Sequence, residues 1–395
     1  MKNLQNRHLK IALTDTGGAK WTGGITYRKN LLEALQLYAP AVDIVAITEE
    51  DGKLYDYPNC QVIYSPSPKS TLEKFAQRSA IHFLNRDFQL QKALKAIPGG
   101  VDLVFPGRYS VGKGIGVLYW IPDFQHLHLP NLYSKAHLSD LNFKFYEGIK
   151  QATLVLLSSH DAKQDFLKFA PSFISKARVL NFVAHIPACL YNQDPTFVIK
   201  KYNIPSKFFY LPNQFWVHKN HKLVLEALKI LKDKGVYPFM VLTGNPIDIR
   251  NPSYFAELLQ IISCSGLRDQ IAILGLISHD DVYALIRQSI CVINPSLFEG
   301  WSTTVEEVKS VGKRILLSDL RVHREQNPPS CLFFDPNNSQ QLANLMEQIW
   351  DESVPGQDLT LEQQAREIYP IHMKTFADNF VAIAQETAVI ANGKS

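Results

Sequence analysis

The segment INPSLFEGWSTTVEEVKSVGKRILLS, residues 293–318, concentrates the side chains best suited to chemistry. It sets an apolar strand, a loop with Pro295, Glu299 and Gly300, and a helix start side by side. A helix start offers unpaired N–H groups and the positive end of its dipole to an anion. A phosphate fits at Gly300, Trp301, Ser302 and Thr303, where glycine admits the ligand to the backbone and the two hydroxyls add donors. Glu299 and Glu307, with seven residues between them, put one carboxylate in the loop above the strand and the other on the first helical turn. Both can then face one bound molecule. Two capping boxes compete for the same helix start, Thr303-x-x-Glu306 and Thr304-x-x-Glu307. If Thr303 caps, Glu306 is used structurally and Glu307 is free for a ligand diol; in the other register Glu307 serves the backbone. Both registers stay open.

These residues need a frame, and the chain supplies an alternating one. Residues 9–13 read as a strand, followed by Gly17, Gly18, Gly23 and Gly24 and an amphipathic run over 27–37. Strand-like pieces at 42–48, 101–105, 116–120 and 153–157 alternate with helical segments such as 72–96. The pattern loses regularity over 181–205, where three prolines interrupt it, and restarts as a strand at 208–211. A second series follows: helices at 222–232, 254–263, 280–287 and 304–311 between strands at 239–243, 271–274, 291–294 and 314–318. Alternating strands and helices imply parallel sheets covered on both faces. The expected organisation is two α/β domains, 1–190 and 191–369, with an amphipathic final helix that starts at the Tyr-Pro of 369–370.

Composition narrows the function. A chain of 395 residues with 46% apolar and 20% charged residues is globular and long enough for two or three cores. Its net charge of +4 argues against a dedicated nucleic-acid binder. Five scattered cysteines show neither zinc nor disulfide spacing, which fits a reducing compartment. The first residues reach glycine before building a signal-like apolar stretch, and no run approaches the roughly 18 apolar residues of a membrane span. A cytoplasmic protein is expected. Residues 68–96 hold six basic side chains against Glu73 and Asp87, interleaved with aromatic and aliphatic ones. A peripheral membrane contact for a lipid-linked acceptor is one reading of that stretch, and a solvated helix face is the preferred one.

The run PSLFEG followed by Glu307 resembles the signature of retaining family-4 glycosyltransferases with the GT-B fold, and the two-domain pattern resembles that family over nearly the whole chain. The resemblance implies two Rossmann-like parallel-sheet domains facing each other across a cleft, the first for the acceptor and the second for the donor. The final helix, from about 370, would cross back onto the first domain. It further implies that Glu299 contacts the donor sugar, residues Gly300 to Thr303 the diphosphate and Glu307 the ribose hydroxyls. In the family a glycine-rich loop follows the first strand; GGAKWTGG, with Gly23 and Gly24 just ahead of the helix, occupies that place. The family also opens its second domain with an arginine and a lysine that grip the diphosphate. Here LPNQFWVHKN supplies Lys219, whereas Gln214 stands in the arginine's position and His218 is the nearby candidate for the missing charge. In YWIPDFQHLHLP, Asp123 matches the aspartate of a His-Asp pair beside the reacting sugar, Pro122 replaces the histidine, and His126 is the nearest substitute. SSHDAKQDF, residues 158–166, resembles the family's serine-led turn into a helix and is read as structural.

The expected function is transfer of a hexose from a UDP- or GDP-linked sugar to a glycan, lipid-linked or small-molecule hydroxyl. No cofactor is expected, since the nucleotide sugar is a co-substrate. No D-x-D run occurs, so metal independence is expected, with Lys219 and the helix start meeting the leaving group's charge. Paired carboxylates also suit a glycosidase, which has no use for a phosphate cradle. A dinucleotide-dependent dehydrogenase fails on glycine spacing, because the loop is not G-x-G-x-x-G. A nucleotide-sugar epimerase of the same plan and a catalytically silent relative, suggested by Gln214 and Pro122, remain as alternatives.

Overall fold

The computed structural model describes residues 8–14, 22–48, 60–65 and 87–393. These form two compact units: one from the residues up to Phe124, Lys135–Phe182 and the residues from His372 onward, the other from Gln125–Ser134 and Val183–Ile371.

The described part of the first unit is built on a seven-stranded parallel sheet of β1 (Lys10–Thr14), β2 (Asp43–Thr48), β3 (Cys60–Tyr64), β4 (Leu103–Phe105), β5 (Gly116–Ile121), β6 (Leu154–Leu157) and β7 (Ala177–Val179). Their order is β3-β2-β1-β4-β5-β6-β7, so the winding direction reverses between β1 and β4. The central strands are apolar on both faces because helices cover both. Ala12, Val104, Val117, Tyr119 and Val155 join one core cluster. Their neighbours Leu103, Phe105, Leu118, Trp120 and Leu156 are equally buried on the alternate register.

The second unit repeats the plan with six parallel strands: β8 (Phe209–Leu211), β9 (Met240–Leu242), β10 (Ile271–Ile273), β11 (Cys291–Asn294), β12 (Ile315–Ser318) and β13 (Cys331–Phe334). The order β10-β9-β8-β11-β12-β13 reverses between β8 and β11, which pair through Cys291 with Phe209 and Val292 with Tyr210. Phe209, Leu211, Met240, Leu242, Ile293 and Leu316 face one helical layer. Phe208, Tyr210, Val241, Val292, Ile315 and Leu317 face the other. In open parallel sheets ligands bind at the carboxyl ends of the strands that flank such a reversal.

Several expectations need adjustment. The units part at Phe182/Val183, ahead of the expected 190/191, because Ile186, Leu190, Val198 and Ile204 bury themselves in the second unit's core. The irregular stretch 181–205 holds two short helices, Ala188–Asn192 and Phe197–Tyr202, too brief to show a period. Gly23 and Gly24 lie inside the helix Thr22–Tyr38, in the first turn, where the backbone donors have no intrahelical partner and a missing side chain costs little. The loop residues before that helix, 15–21, lie outside the described residues. So does most of the basic stretch 68–96; of the expected helix 72–96, only Phe88–Lys95 is described, capped by Asp87. The final helix runs through Pro370 and spans Leu359–Ala391. Proline there costs one backbone hydrogen bond, yet Ala365 on one side and Met373, Phe376 and Phe380 on the other are buried and hold both halves helical. The serine-led turn behaves as read: Ser159 caps the helix His160–Phe169, accepting from the Ala162 N–H at 2.9 Å.

Candidate functional site

Two loops meet at the reversal point of the second sheet. After β8 the chain passes Asn213 and Gln214, makes a tight turn at Val217–Lys219 and enters the helix His221–Asp233 through Asn220, which adopts the left-handed conformation at φ 55°. The Asn220 amide donates to the Pro295 and Pro336 carbonyls at 3.1 and 2.9 Å. The Leu297 N–H donates to the His218 carbonyl at 2.8 Å. Lys219 is thereby fixed over the loop that follows β11, and its Nζ donates to Glu299 Oε1 at 2.6 Å. The Ser296 hydroxyl lies 2.7 Å from the same oxygen. Burial pushes the Glu299 carboxyl up, but the Lys219 charge and its hydrogen bonds outweigh that and hold it below the usual carboxylate range. Lys219 and Glu299 are an ionised pair, their side chains 14% and 9% exposed.

The helix Thr303–Val311 begins just beyond, and neither capping box closes it. Ser302 is the cap, its Oγ accepting from the Val305 N–H. The residue that would complete a box from that register is Val305, which cannot accept. Gln326, from the helix Arg321–Gln326, takes over: its Oε1 accepts from the Ser302 N–H at 3.0 Å, and its Nε2 donates to the Ser302 carbonyl and to Glu306 Oε1, both at 3.0 Å. Ser302 is therefore buried, with its N–H already paired. Gly300, Trp301 and Thr303 are half-buried. Thr303 and Thr304 start the helix, and their N–H groups have no intrahelical acceptor.

Glu306 is spent on Gln326 and on Lys309, 3.1 Å away. Glu307 differs. It is 6% exposed, has no hydrogen-bond partner among the described residues, and burial pushes its carboxyl up to about 8. At neutral pH it is mostly protonated until something polar meets it.

Beneath the loops a buried amide network sets the spacing. Asn213 lies two residues beyond β8 and Asn294 ends β11; the Asn213 amide donates to Asn294 Oδ1 at 3.2 Å, and the Asn294 amide donates to Ser302 Oγ at 2.9 Å. Thr304 Oγ1 lies 3.3 Å from Asn213 Oδ1. Gly244, at φ 141°, completes the floor: a Cβ there would stand 2.3 Å from the Asn213 carbonyl oxygen. Gln214 is half-buried and accepts from the Asn245 N–H at 2.7 Å, so it ties this loop to the one after β9.

His218 does not supply the missing positive charge. Burial drives its imidazole down to about 3, helped by Lys219, and it is neutral at physiological pH. His221 is pushed down to about 3 by the same cause. His323, wholly buried and also depressed by burial, lies 2.8 Å through Nδ1 from the Ser318 carbonyl and faces the Glu299 charge. The cation beside His218 is Arg250, from the loop after β9, with Nη2 3.4 Å from His218 Nδ1. Its Nη1 donates to Gln125 Oε1 at 2.7 Å and to the Tyr133 hydroxyl at 3.2 Å, and its Nε to Asp248 at 3.3 Å. These bonds, with His128 against the Phe298 ring at 5.0 Å, are why Gln125–Ser134 belongs to the second unit. Asp123 is half-buried at the end of the first unit's β5, and His126 is buried in the second unit.

The sequence therefore brings Lys219, Glu299, Gly300, Thr303 and Glu307 to one sheet end. It did not identify Arg250, Asp248, His323, Asn213, Asn294 or Gln326. A signal existed for the two asparagines, each a polar residue closing an apolar run; Arg250 sits among prolines with no period to reveal it. Among the described residues no group of three or more acidic, histidine or cysteine side chains is arranged to hold a metal ion. No described helix is long and apolar enough to cross a membrane.

Comparison with known proteins agrees with this architecture. Residues 196–367 match the family described as glycosyl transferases group 1. The O-antigen chain mannosyltransferase RfbU of Salmonella typhimurium is 20% identical over 336 residues, 84% of this chain and 88% of the relative. The serotype-specific mannosyltransferase WbdA of Escherichia coli is 23% identical over 233 residues, 56% of this chain but only 28% of its own length. The chain thus spans less than a third of WbdA. The crystal structure of Anabaena Alr3699/HepE in complex with UDP and glucose superposes with a TM-score of 0.64 at 17% identity, covering 98% of both chains. WaaG, a glycosyltransferase involved in lipopolysaccharide biosynthesis, does so with 0.60 at 14% identity, covering 97% of this chain and all of the other. The fold is that of the GT-B glycosyltransferases, two Rossmann-like parallel-sheet units.

Proposed function

We propose that this chain, whose residues 196–367 match the glycosyl transferases group 1, moves a hexose from a UDP- or GDP-linked sugar to an acceptor hydroxyl, with retention of anomeric configuration, in polysaccharide assembly. The observation that carries the reading is the juxtaposition, at one sheet reversal, of the Lys219–Glu299 pair, a helix start and the unpartnered carboxyl of Glu307. A phosphate group needs the first two, and a ribose diol suits the third. Mannose as the sugar draws on RfbU and WbdA, and UDP as the carrier on the HepE complex.

In this reading the bond between the anomeric carbon and the diphosphate oxygen breaks with its electron pair on the diphosphate. The acceptor oxygen forms the new bond from the same face, and its proton passes to a departing phosphate oxygen. Lys219 and the N–H groups at Thr303 and Thr304 stabilise the charge that grows on the leaving group, where preorganised donors are worth most. Glu299, already ionised and held by Lys219 and Ser296, orients the sugar hydroxyls and is not a nucleophile. Asp123 and His126 serve the acceptor side, and Gly23 and Gly24 the glycine-rich approach to the donor. The reaction needs no metal clamp or cofactor. Work at the inner face of a membrane, through residues 68–96, suits a lipid-linked acceptor.

Calorimetry of the purified protein against UDP, GDP, ADP, CMP and NAD, with and without magnesium, tests this. Tight binding of UDP or GDP without metal is the expected result, followed by sugar release from the matching donor. Binding of NAD alone favours a dehydrogenase, and binding without any turnover a silent relative.

A further inference from the structure

A departing nucleoside diphosphate gains negative charge, and the pocket at β8 and β11 holds little positive charge to meet it. Lys219 is already paired with Glu299. His218 and His221 are neutral, and Gln214 carries no charge. Glu307 is mostly protonated at neutral pH and contributes nothing either way. The one further cation bonded to this loop among the described residues is Arg250, which touches His218, the neighbour of Lys219.

Resting on the donor-binding reading above, we infer that Arg250 is the second cation of the diphosphate site, reaching it through its contact with His218, and that it fixes His218 as a neutral donor beside Lys219. The chemistry of the pair is one-sided. A guanidinium carries only N–H donors, so the His218 Nδ1 that faces it must accept, and the ring proton sits on Nε2. His218 is then a hydrogen-bond donor without being a charge, adjacent to the lysine that bears one.

The guanidinium is held ready for a ligand. Its side chain is 23% exposed, reachable yet partly desolvated, and it lies over the Trp216 and Tyr133 rings at 5.6 and 5.7 Å. Such stacking orients the planar fork, which suits phosphate recognition in a way a lysine ammonium does not. Gln125, Tyr133 and Asp248 fix the rest of the head group. Gly244 and the Gln214–Asn245 bond dock the start of this loop directly on the turn that leads to Lys219.

The experiment compares the affinity of the full chain for UDP and GDP with that for UMP and GMP, by calorimetry. Wild-type protein should favour one diphosphate over its monophosphate. If it binds none of the four, the donor-binding reading itself fails. Arg250→Gln should lower the diphosphate-to-monophosphate ratio about tenfold while moving monophosphate affinity less than twofold. A ratio equal to wild type, whatever happens to the melting temperature, overturns the role of Arg250 and leaves the donor-binding reading standing. Asp248→Asn, which releases the guanidinium from its ion pair, should raise the ratio about threefold, and that gain should vanish in the Arg250→Gln background. A gain that survives there, or no gain in the single variant, also overturns the proposal.

Discussion

The two sheets share one plan and finish it differently. At the reversal of the second sheet, β11 ends in Asn294 and β8 is followed two residues on by Asn213, and ionised or hydrogen-bonding groups take over there. Beside the corresponding reversal of the first sheet, Phe105 closes β4 and Trp120 lies near the end of β5, and the space is filled with rings. Tyr27 stacks on Trp120 at 4.1 Å and meets Phe182 and Phe376 edge-on, while Phe105 meets Phe380 at 5.1 Å. A sheet end packed with aromatic side chains is rigid and gains from area alone. One built from Asn213, Asn294, Ser302 and Thr304 must satisfy every buried donor and acceptor, and in exchange it holds charges at fixed spacing. Parallel architecture fixes the frame and leaves the chemistry to the strand ends.

Substitutions at each sheet end should affect stability and binding separately. The largest effect is expected from Trp120→Ala, which removes a buried ring and its 3.1 Å bond to Ser158; about 3–5 kcal/mol of stability should be lost in denaturant melts. Nucleotide affinity measured below the melting point should be unchanged. A parallel loss of affinity would blur the division of labour between the units. Lys219→Ala should do the reverse, lowering turnover roughly 100-fold or more, with a smaller cost in stability. Unchanged turnover removes Lys219 from the mechanism.

In the proposed reading the carboxyl gives up its proton on meeting the ribose diol, so Glu307→Gln should weaken nucleotide binding by on the order of tenfold, as loss of a charge-assisted hydrogen bond does. Its apo stability carries a second, independent signature. The folded carboxyl is raised to about 8, above its unfolded value, so the native state keeps a proton that the unfolded chain has lost. That contribution is complete below the unfolded value, roughly pH 4.3, and fades as pH rises through about 8. Wild type should therefore lose stability across that window relative to Glu307→Gln in melts at matched pH. Parallel curves would mean the carboxyl is better solvated than its burial implies. The smallest effect is a gain: among the described residues the buried Tyr27 hydroxyl has no hydrogen-bond partner, and Tyr27→Phe should stabilise the first unit by about 1 kcal/mol. Destabilisation would show that the hydroxyl has found a bonding arrangement after all.

Much of this was legible in the residues, and the misses have physical reasons. The buried strands announced themselves as apolar runs because both faces are covered, which is why 208–211 and 291–294 read correctly. β3 is an edge strand with Gln61, Val62 and Tyr64 in solvent, and β7 is three residues long, so neither leaves a buried run to recognise. The helix start after Gly300 was legible, but its cap was not. Ser302 works through Gln326, a partner 24 residues away that only the tertiary fold supplies. Arg250 was hidden for the same reason, since it follows β9 in sequence and reaches the β8 loop only once the strands are side by side. Buried side chains on both sides of Pro370, Ala365 before it and Met373, Phe376 and Phe380 after it, overrode the local expectation that a proline begins or ends a helix.

One packing detail bears on how the second unit can be handled on its own. Arg287 is buried, paired with Glu362 at 2.9 Å and donating to the carbonyls of Leu190, Tyr191 and Gln193. At Gly312, φ 80°, a Cβ would stand 2.2 Å from the Leu361 carbonyl oxygen, so the backbone of the final helix lies directly on the helix that carries Glu307. A protease cut or a stop codon before Leu361 would strand a guanidinium in the interior and uncover that surface. A shortened second-unit polypeptide that starts after Gln193 or stops before Glu362 should come out of cells insoluble, although Lys219, Arg250, Glu299 and Glu307 are all still present.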